Sequence, residues 1–92
     1  MSEQTQTEVL VEEAVAVGAP WRVILFNDEI HAFDEVVMQV VKATGYSVRR
    51  STEVTLEAHH TGSSCAFVGD IEECLRVQRV LREIGLMTEM RG

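Results

Sequence analysis

Near the start of this chain, two apolar patterns of different period follow one another across a short polar hinge. Trp21-Arg-Val-Ile-Leu-Phe26 is a β-branched and aromatic run, with Pro20 before it and Asn27-Asp28-Glu29 after it. Such a run reads as a buried strand. Past the hinge, Phe33, Val36, Val37, Val40 and Val41 fall at i, i+3, i+4, i+7 and i+8. That spacing is one face of a helix. Asp34 and Glu35 lie in its first turn and Lys42 in its last, the order a helix dipole favours. Gly45 is placed to end it in the left-handed conformation. A strand that feeds directly into an amphipathic helix needs a helical layer packed on a sheet.

The rest of the chain extends this plan. Ser47 is placed to cap a second helix, with Val48, Val54, Leu56 and Ala58 expected on its buried side. Thr52, Thr55, His59 and His60 make that helix polar for a core element, and Thr61-Gly62 ends it. Ser63 through Val68 reads as a second strand. Asp70 caps a third helix with an apolar stripe of Ile71, Cys74, Leu75, Val77, Leu81 and Ile84; Gly85 stops it, and Leu86 through Met90 forms a last strand. The order βααβαβ predicts an α+β fold, a two-layer sandwich in which a small antiparallel sheet is covered on one face by helices. Residues 20–92 form this core domain. Residues 1–19 carry Glu3, Glu8, Glu12 and Glu13 and no Lys or Arg, and are expected to be a flexible acidic N-terminal extension.

At 92 residues the chain has room for one domain. Eight basic against fifteen acidic side chains leave a formal charge of -7. An acidic chain lacks the basic footprint that nucleic acid or an anionic membrane surface requires, so neither is an expected partner. No apolar run approaches the ~20 residues that span a bilayer. The opening Met1-Ser-Glu-Gln-Thr lacks the basic start of a secretory signal, which makes the cytoplasm the expected compartment. Cys65 and Cys74 are expected to be buried structural thiols, and their spacing fits no zinc pattern.

Chemistry concentrates in Asn27-Asp28-Glu29-Ile30-His31, which sets an amide, two carboxylates and an imidazole within five residues. Two readings stand. One is a turn with helix-capping acids. The other is a cation site, since carboxylate and amide oxygens suit a protonated amine whose N–H groups each need an acceptor. His59, late in the second helix, reads either as a structural or dipole-compensating side chain or as a ligand. His60 points about 100° away from it. No nucleophile elbow, phosphate loop or metal-ligand spacing is present, so the chain is not expected to be an enzyme or to carry a metal or cofactor. A metal site from His31, His59, His60 and Cys65 has no spacing to support it.

Trp21-Arg-Val-Ile-Leu-Phe-Asn-Asp-Glu29, followed by Phe33, Val36 and Val37, resembles the opening of the ClpS adaptor family. That family shows an apolar strand, then Asn-Asp-Asp, a Thr two positions later, and a Met that starts a Val-containing helix. The resemblance continues through Thr52-Glu-Val-Thr-Leu-Glu-Ala-His59-His-Thr-Gly62 and, more loosely, to Leu86-Met-Thr-Glu-Met90. It implies an α/β sandwich like the C-terminal domain of ribosomal protein L7/L12. It also implies an adaptor for N-degron substrates, proteins with a bulky apolar first residue and a free α-amine. The adaptor would deliver them to a Clp AAA+ unfoldase, ClpA or ClpC.

Carried over, Asn27 and Asp28 would contact the α-amino group, with Glu29 and His31 in the same loop and His59 at the same end. Phe33, Val36, Thr55 and Leu86 would line the pocket for the first side chain. Glu72 and Arg76 look like unfoldase-contact residues, against a plain salt-bridged solvent face as the alternative. Glu29 stands where the family usually has Asp, His31 where it has Thr, and Phe33 and Thr55 where it has Met. These departures predict a reshaped pocket. His31 and Thr55 also favour the second functional reading, a domain of the same fold that binds another partner.

Overall fold

A computed structural model describes residues 20–92, and the extension expected over 1–19 lies outside them. The chain runs β1 (Trp21–Phe26), α1 (Phe33–Thr44), α2 (Val48–Thr61), β2 (Ser63–Gly69), α3 (Ile71–Arg82) and β3 (Thr88–Arg91). The three strands form one antiparallel sheet in the order β2-β1-β3. The α+β sandwich expected from the order of elements is the observed fold.

The most apolar strand takes the central place. Val23, Ile24 and Leu25 are all buried, which a strand paired on both edges allows. Side chains alternate along it, and Val23 and Leu25 enter the helical core with Val36, Val40, Ala43, Val54, Ala58, Ala66, Cys74, Val77, Leu81 and Leu86. The pairing of β1 with β2 slips once: Val23 faces Phe67, whereas Ile24 faces Cys65. Ala66 is therefore an extra residue, a bulge that bends β2 and buries the small side chain completely.

Helix ends follow the sequence signals. Gly45 adopts φ 79° and its N–H bonds Val41 O, the left-handed stop that only glycine takes without strain. Ser47 accepts from Arg50 N and Asp70 from Glu73 N. Gln39 Nε2 donates to Val80 O at 2.7 Å, and Lys42 pairs with Glu83 at 3.0 Å, so α1 is tied to the end of α3.

The buried faces of α2 and α3 differ from expectation. In α2 the buried residues are Ser51, Val54, Thr55 and Ala58, while Val48 and Leu56 are exposed. The positions 51, 54, 55 and 58 form one i, i+3, i+4, i+7 stripe, and Leu56 falls off it. Val48 sits in the first turn, beyond the reach of the layer. In α3 the stripe is Cys74, Val77, Gln78 and Leu81; Ile71 and Leu75 are exposed and Ile84 lies past the helix end. Gly85, at φ 85°, closes the turn after α3 rather than ending the helix itself. Cys74 is the buried thiol expected, but Cys65 is exposed because its register opposite Ile24 turns it away from the helices. The last strand begins at Thr88, leaving Leu86 in the core just before it.

Ser51 is fully buried and its Oγ has no partner among the described residues. An unpaired buried hydroxyl is a cost, and alanine is the better helix former. Ser51→Ala is expected to stabilise the fold by about 1 kcal/mol. In a thermal melt this appears as a rise of roughly 4–8 °C.

Candidate functional site

The end of β1, the loop after it, the start of α1 and the last turns of α2 converge on one end of the sandwich. Two backbone bonds fix the departure of the loop. Phe26 N donates to Met87 O at 3.1 Å and Asn27 N to Gly62 O at 3.0 Å. Residues far apart in sequence thereby hold Asn27 beside the end of α2.

Asp28 then organises the loop. Its Oδ2 accepts from Ile30 N at 3.1 Å, from His31 N at 2.6 Å and from His31 Nδ1 at 3.0 Å. Burial pushes the Asp28 carboxyl up. The bonds from the His31 backbone, the His31 ring and the Ile30 backbone, with the charge of His31, outweigh this and hold it below the ordinary carboxylate value. Because its folded value is depressed, this clamp contributes stability that is fully present above the ordinary carboxylate value and is lost as pH falls through the lowered one. Asn27 donates through Nδ2 to Glu29 Oε2 at 3.1 Å. An amide that donates through its nitrogen keeps its oxygen available as an acceptor.

Beside this loop lies a cavity of about 130 Å³, lined by Leu25, Phe26, Asn27, Asp28, His31, Phe33, Val36, Thr55, Ala58 and His59. A void of roughly 150 Å³ is enough for a benzene ring. Thr55 Oγ1 donates to Ser51 O at 2.8 Å, so the hydroxyl proton is committed within the helix and the wall there offers no free donor. The cavity therefore joins an apolar interior to carboxylate and amide acceptors at its edge.

Seven of the residues singled out in the sequence border this space: Asn27, Asp28, His31, Phe33, Val36, Thr55 and His59. Glu29 does not; it is exposed and reaches Asn27 instead. Leu86 does not either, being packed in the core at 2% exposure. Leu25, Phe26 and Ala58 join the lining unannounced. Leu25 and Phe26 are the last residues of β1, and Ala58 is one turn beyond Thr55, so the helical repeat was the signal that could have found it. Glu72 and Arg76 lie exposed on α3 and away from the cavity lining, and among the described residues neither forms an ion pair. Among the described residues no group of three metal-ligating side chains comes together, and no helix is long and apolar enough to cross a membrane.

An apolar hollow with acceptors at its rim, built on a small α+β sandwich, is the equipment of a binding module. The model of the family described as ATP-dependent Clp protease adaptor protein ClpS matches residues 18–88. The chain belongs to the ClpS family, whose members are adaptors of a protease rather than catalysts. The ATP-dependent Clp protease adapter protein ClpS of Streptomyces avermitilis is 31% identical to it over 78 residues, covering 82% of this chain and 74% of that protein. Its counterpart in Sodalis glossinidius is 29% identical over 87 residues, covering 90% of this chain and 82% of that one. Among solved structures, Agrobacterium tumefaciens ClpS2 bound to L-phenylalaninamide superposes with a TM-score of 0.72 at 19% identity, over 78% of this chain and 94% of that one. At that identity the likeness establishes the fold.

Proposed function

We propose that this adaptor binds N-degron substrates by their first residue and delivers them to a Clp AAA+ unfoldase, ClpA or ClpC, in the cytoplasm. The observation that carries the reading is the cavity: Asp28 and Asn27 offer acceptors at the edge of an apolar space of about 130 Å³. A free α-amine is cationic at neutral pH, whereas an internal peptide N–H is neutral and donates once. Acceptors beside an apolar hole thus select a chain end and its side chain together. Phe33, Val36 and Thr55 surround the side chain; Asn27, Asp28, His31 and His59 meet the amine, with Glu29 holding Asn27. Leu86 supports the wall from behind. The relative from Agrobacterium tumefaciens is bound to L-phenylalaninamide, a ligand with that pairing of amine and aromatic side chain. Glu72 and Arg76, exposed on α3, are assigned to contact with the unfoldase.

Burying a Leu or Phe side chain contributes about 1.5–3 kcal/mol. Each charge-assisted hydrogen bond adds about 1.5–3 kcal/mol. Ordering costs offset part of this, so dissociation constants near micromolar are expected. The test is a titration with peptides that begin with Leu or Phe, free and N-acetylated. Free peptides are expected to bind and acetylated ones to lose at least about 100-fold, since acetylation removes both charge and donors. Equal binding of the two forms refutes the reading.

His31 and Thr55 favour a second reading, a domain of this fold that takes a different partner; under it neither peptide binds. The same titration with first residues Leu, Phe, Tyr, Trp, Ile and Val ranks what Phe33 and Thr55 admit.

A further inference from the structure

We infer that His31 is a positioning residue that also makes the cavity proton-responsive, setting Asp28 for a cationic chain end while neutral and displacing that cation when protonated. The inference rests on the reading of the cavity as a receptor for a free α-amine.

Oδ2 of Asp28 is saturated by Ile30 N, His31 N and His31 Nδ1, all within 3.1 Å. Oδ1 accepts no hydrogen bond among the described residues. One oxygen thus holds the loop, and the other is left for a ligand. An ionised carboxylate only accepts, so the 3.0 Å contact places the hydrogen of the neutral ring on Nδ1 and leaves Nε2 as an acceptor. The ring is also part of the cavity wall. In this state it adds no charge and fixes the direction of Asp28. Protonation makes both ring nitrogens donors and sets a cation 3.0 Å from the same carboxylate. Imidazolium and ligand ammonium then compete for one negative charge at a site partly shielded from water.

Among the described residues, the surrounding groups leave one other imidazole at the cavity, that of His59. Leu25 and Phe26 from β1, Phe33 and Val36 from α1, and Thr55 and Ala58 from α2 bring no charge to the cavity. Asn27 is neutral, and Glu29 lies outside the lining against Asn27. Asp28, held below the ordinary carboxylate value, stays ionised well above that value. The α-amine of the ligand, with an ordinary pKa of about 7.7–8.0, stays protonated in mild acid. Imidazole is the side chain that changes charge between about pH 5 and pH 8, and the cavity has two, His31 and His59. His60 stands beside His59 with ring centroids 5.5 Å apart, outside the lining. Of these rings, His31 is the one that bonds Asp28 among the described residues.

The experiment follows binding of a peptide with a free N-terminal Leu from about pH 7 to about pH 5.5, a range that spans imidazole titration. Wild-type affinity is expected to fall roughly tenfold, the loss of about one pKa unit of coupling. His31→Asn, which keeps a neutral donor near the place of Nδ1, is expected to show a shallower profile than the wild type and to bind more tightly near neutrality than His31→Ala. Because His59 lines the same cavity, the decisive comparison is made in a His59→Asn background, where a slope is expected to remain with His31 present and to vanish with His31→Asn. An NMR titration of the wild-type imidazoles supplies a second readout: bound peptide lowers the pH at which the His31 ring protonates. A pH-independent wild type, a slope in the His59→Asn background that His31→Asn leaves unchanged, or a His31 midpoint unmoved by peptide overturns the inference and leaves the receptor reading standing. A wild type that binds the peptide at no pH overturns both.

Discussion

Asp28→Asn is expected to weaken binding of a peptide with a free N-terminal Leu or Phe by roughly 10- to 100-fold, the equivalent of about 1.5–3 kcal/mol for one charge-assisted hydrogen bond. The substitution removes the negative charge and keeps a carbonyl oxygen that still accepts from Ile30 N and His31 N, the backbone bonds that shape the loop. Folding should therefore change by no more than about 1 kcal/mol, or roughly 4–8 °C in a thermal melt. Calorimetry of peptide binding beside a melting curve separates the two effects. Unchanged affinity in a folded Asp28→Asn protein removes the carboxylate from the assigned receptor. A large loss of stability instead assigns Asp28 to the turn alone, the alternative that its residue type leaves open.

Ala58→Leu is the complementary experiment, aimed at the apolar half of the site. Ala58 is 3% exposed and lies on the cavity wall one turn after Thr55. A leucine there would take up part of the space of about 130 Å³ that the proposed function assigns to the first side chain of a substrate. Affinity for bulky first residues is expected to fall by roughly 10- to 100-fold, the loss of about 1.5–3 kcal/mol of side-chain burial. Stability should hold, because the usual overpacking cost of about 1–3 kcal/mol applies to cores that are already full. Titration with the same peptides checks the first expectation and urea unfolding the second. Normal binding by this variant would show that the ligand does not enter the cavity.

The strand and first helix were legible because a single physical rule covers each of them. β1 is apolar apart from the exposed Arg22, and its centre, Val23, Ile24 and Leu25, is buried as a central strand requires. The stripe of α1 is apolar at helical spacing, with Val36, Val37 and Val40 buried as the period requires. Phe33 follows the same period yet is 39% exposed, since its place is the cavity wall and not the core. The rule weakens in α2. There the inner stripe includes Ser51 and Thr55, and Thr55 is tolerated inside because its hydroxyl bonds the helix backbone at Ser51 O. Hydrophobicity alone selected Val48 and Leu56, which geometry leaves outside. Leu86 shows a similar limit: its apolar character was plain, but whether it faces a hollow or the filled interior depends on where the turn before β3 places it. The loop of Asn27, Asp28 and His31 was legible as a cluster of acceptors. The hollow beside it was not, because a void is made by small side chains such as Ala58 meeting across elements, and no single segment records that volume.

The two backbone bonds that pin the end of β1, from Phe26 to Met87 and from Asn27 to Gly62, join segments that the chain brings together only by folding. The cavity geometry is consequently settled before any ligand arrives. The entropy of arranging its walls is lost once, during folding, and not again at each encounter. On the proposed reading, a carrier that takes up and releases many different cargoes gains from such prior assembly, because a modest contact then suffices for capture without making release slow.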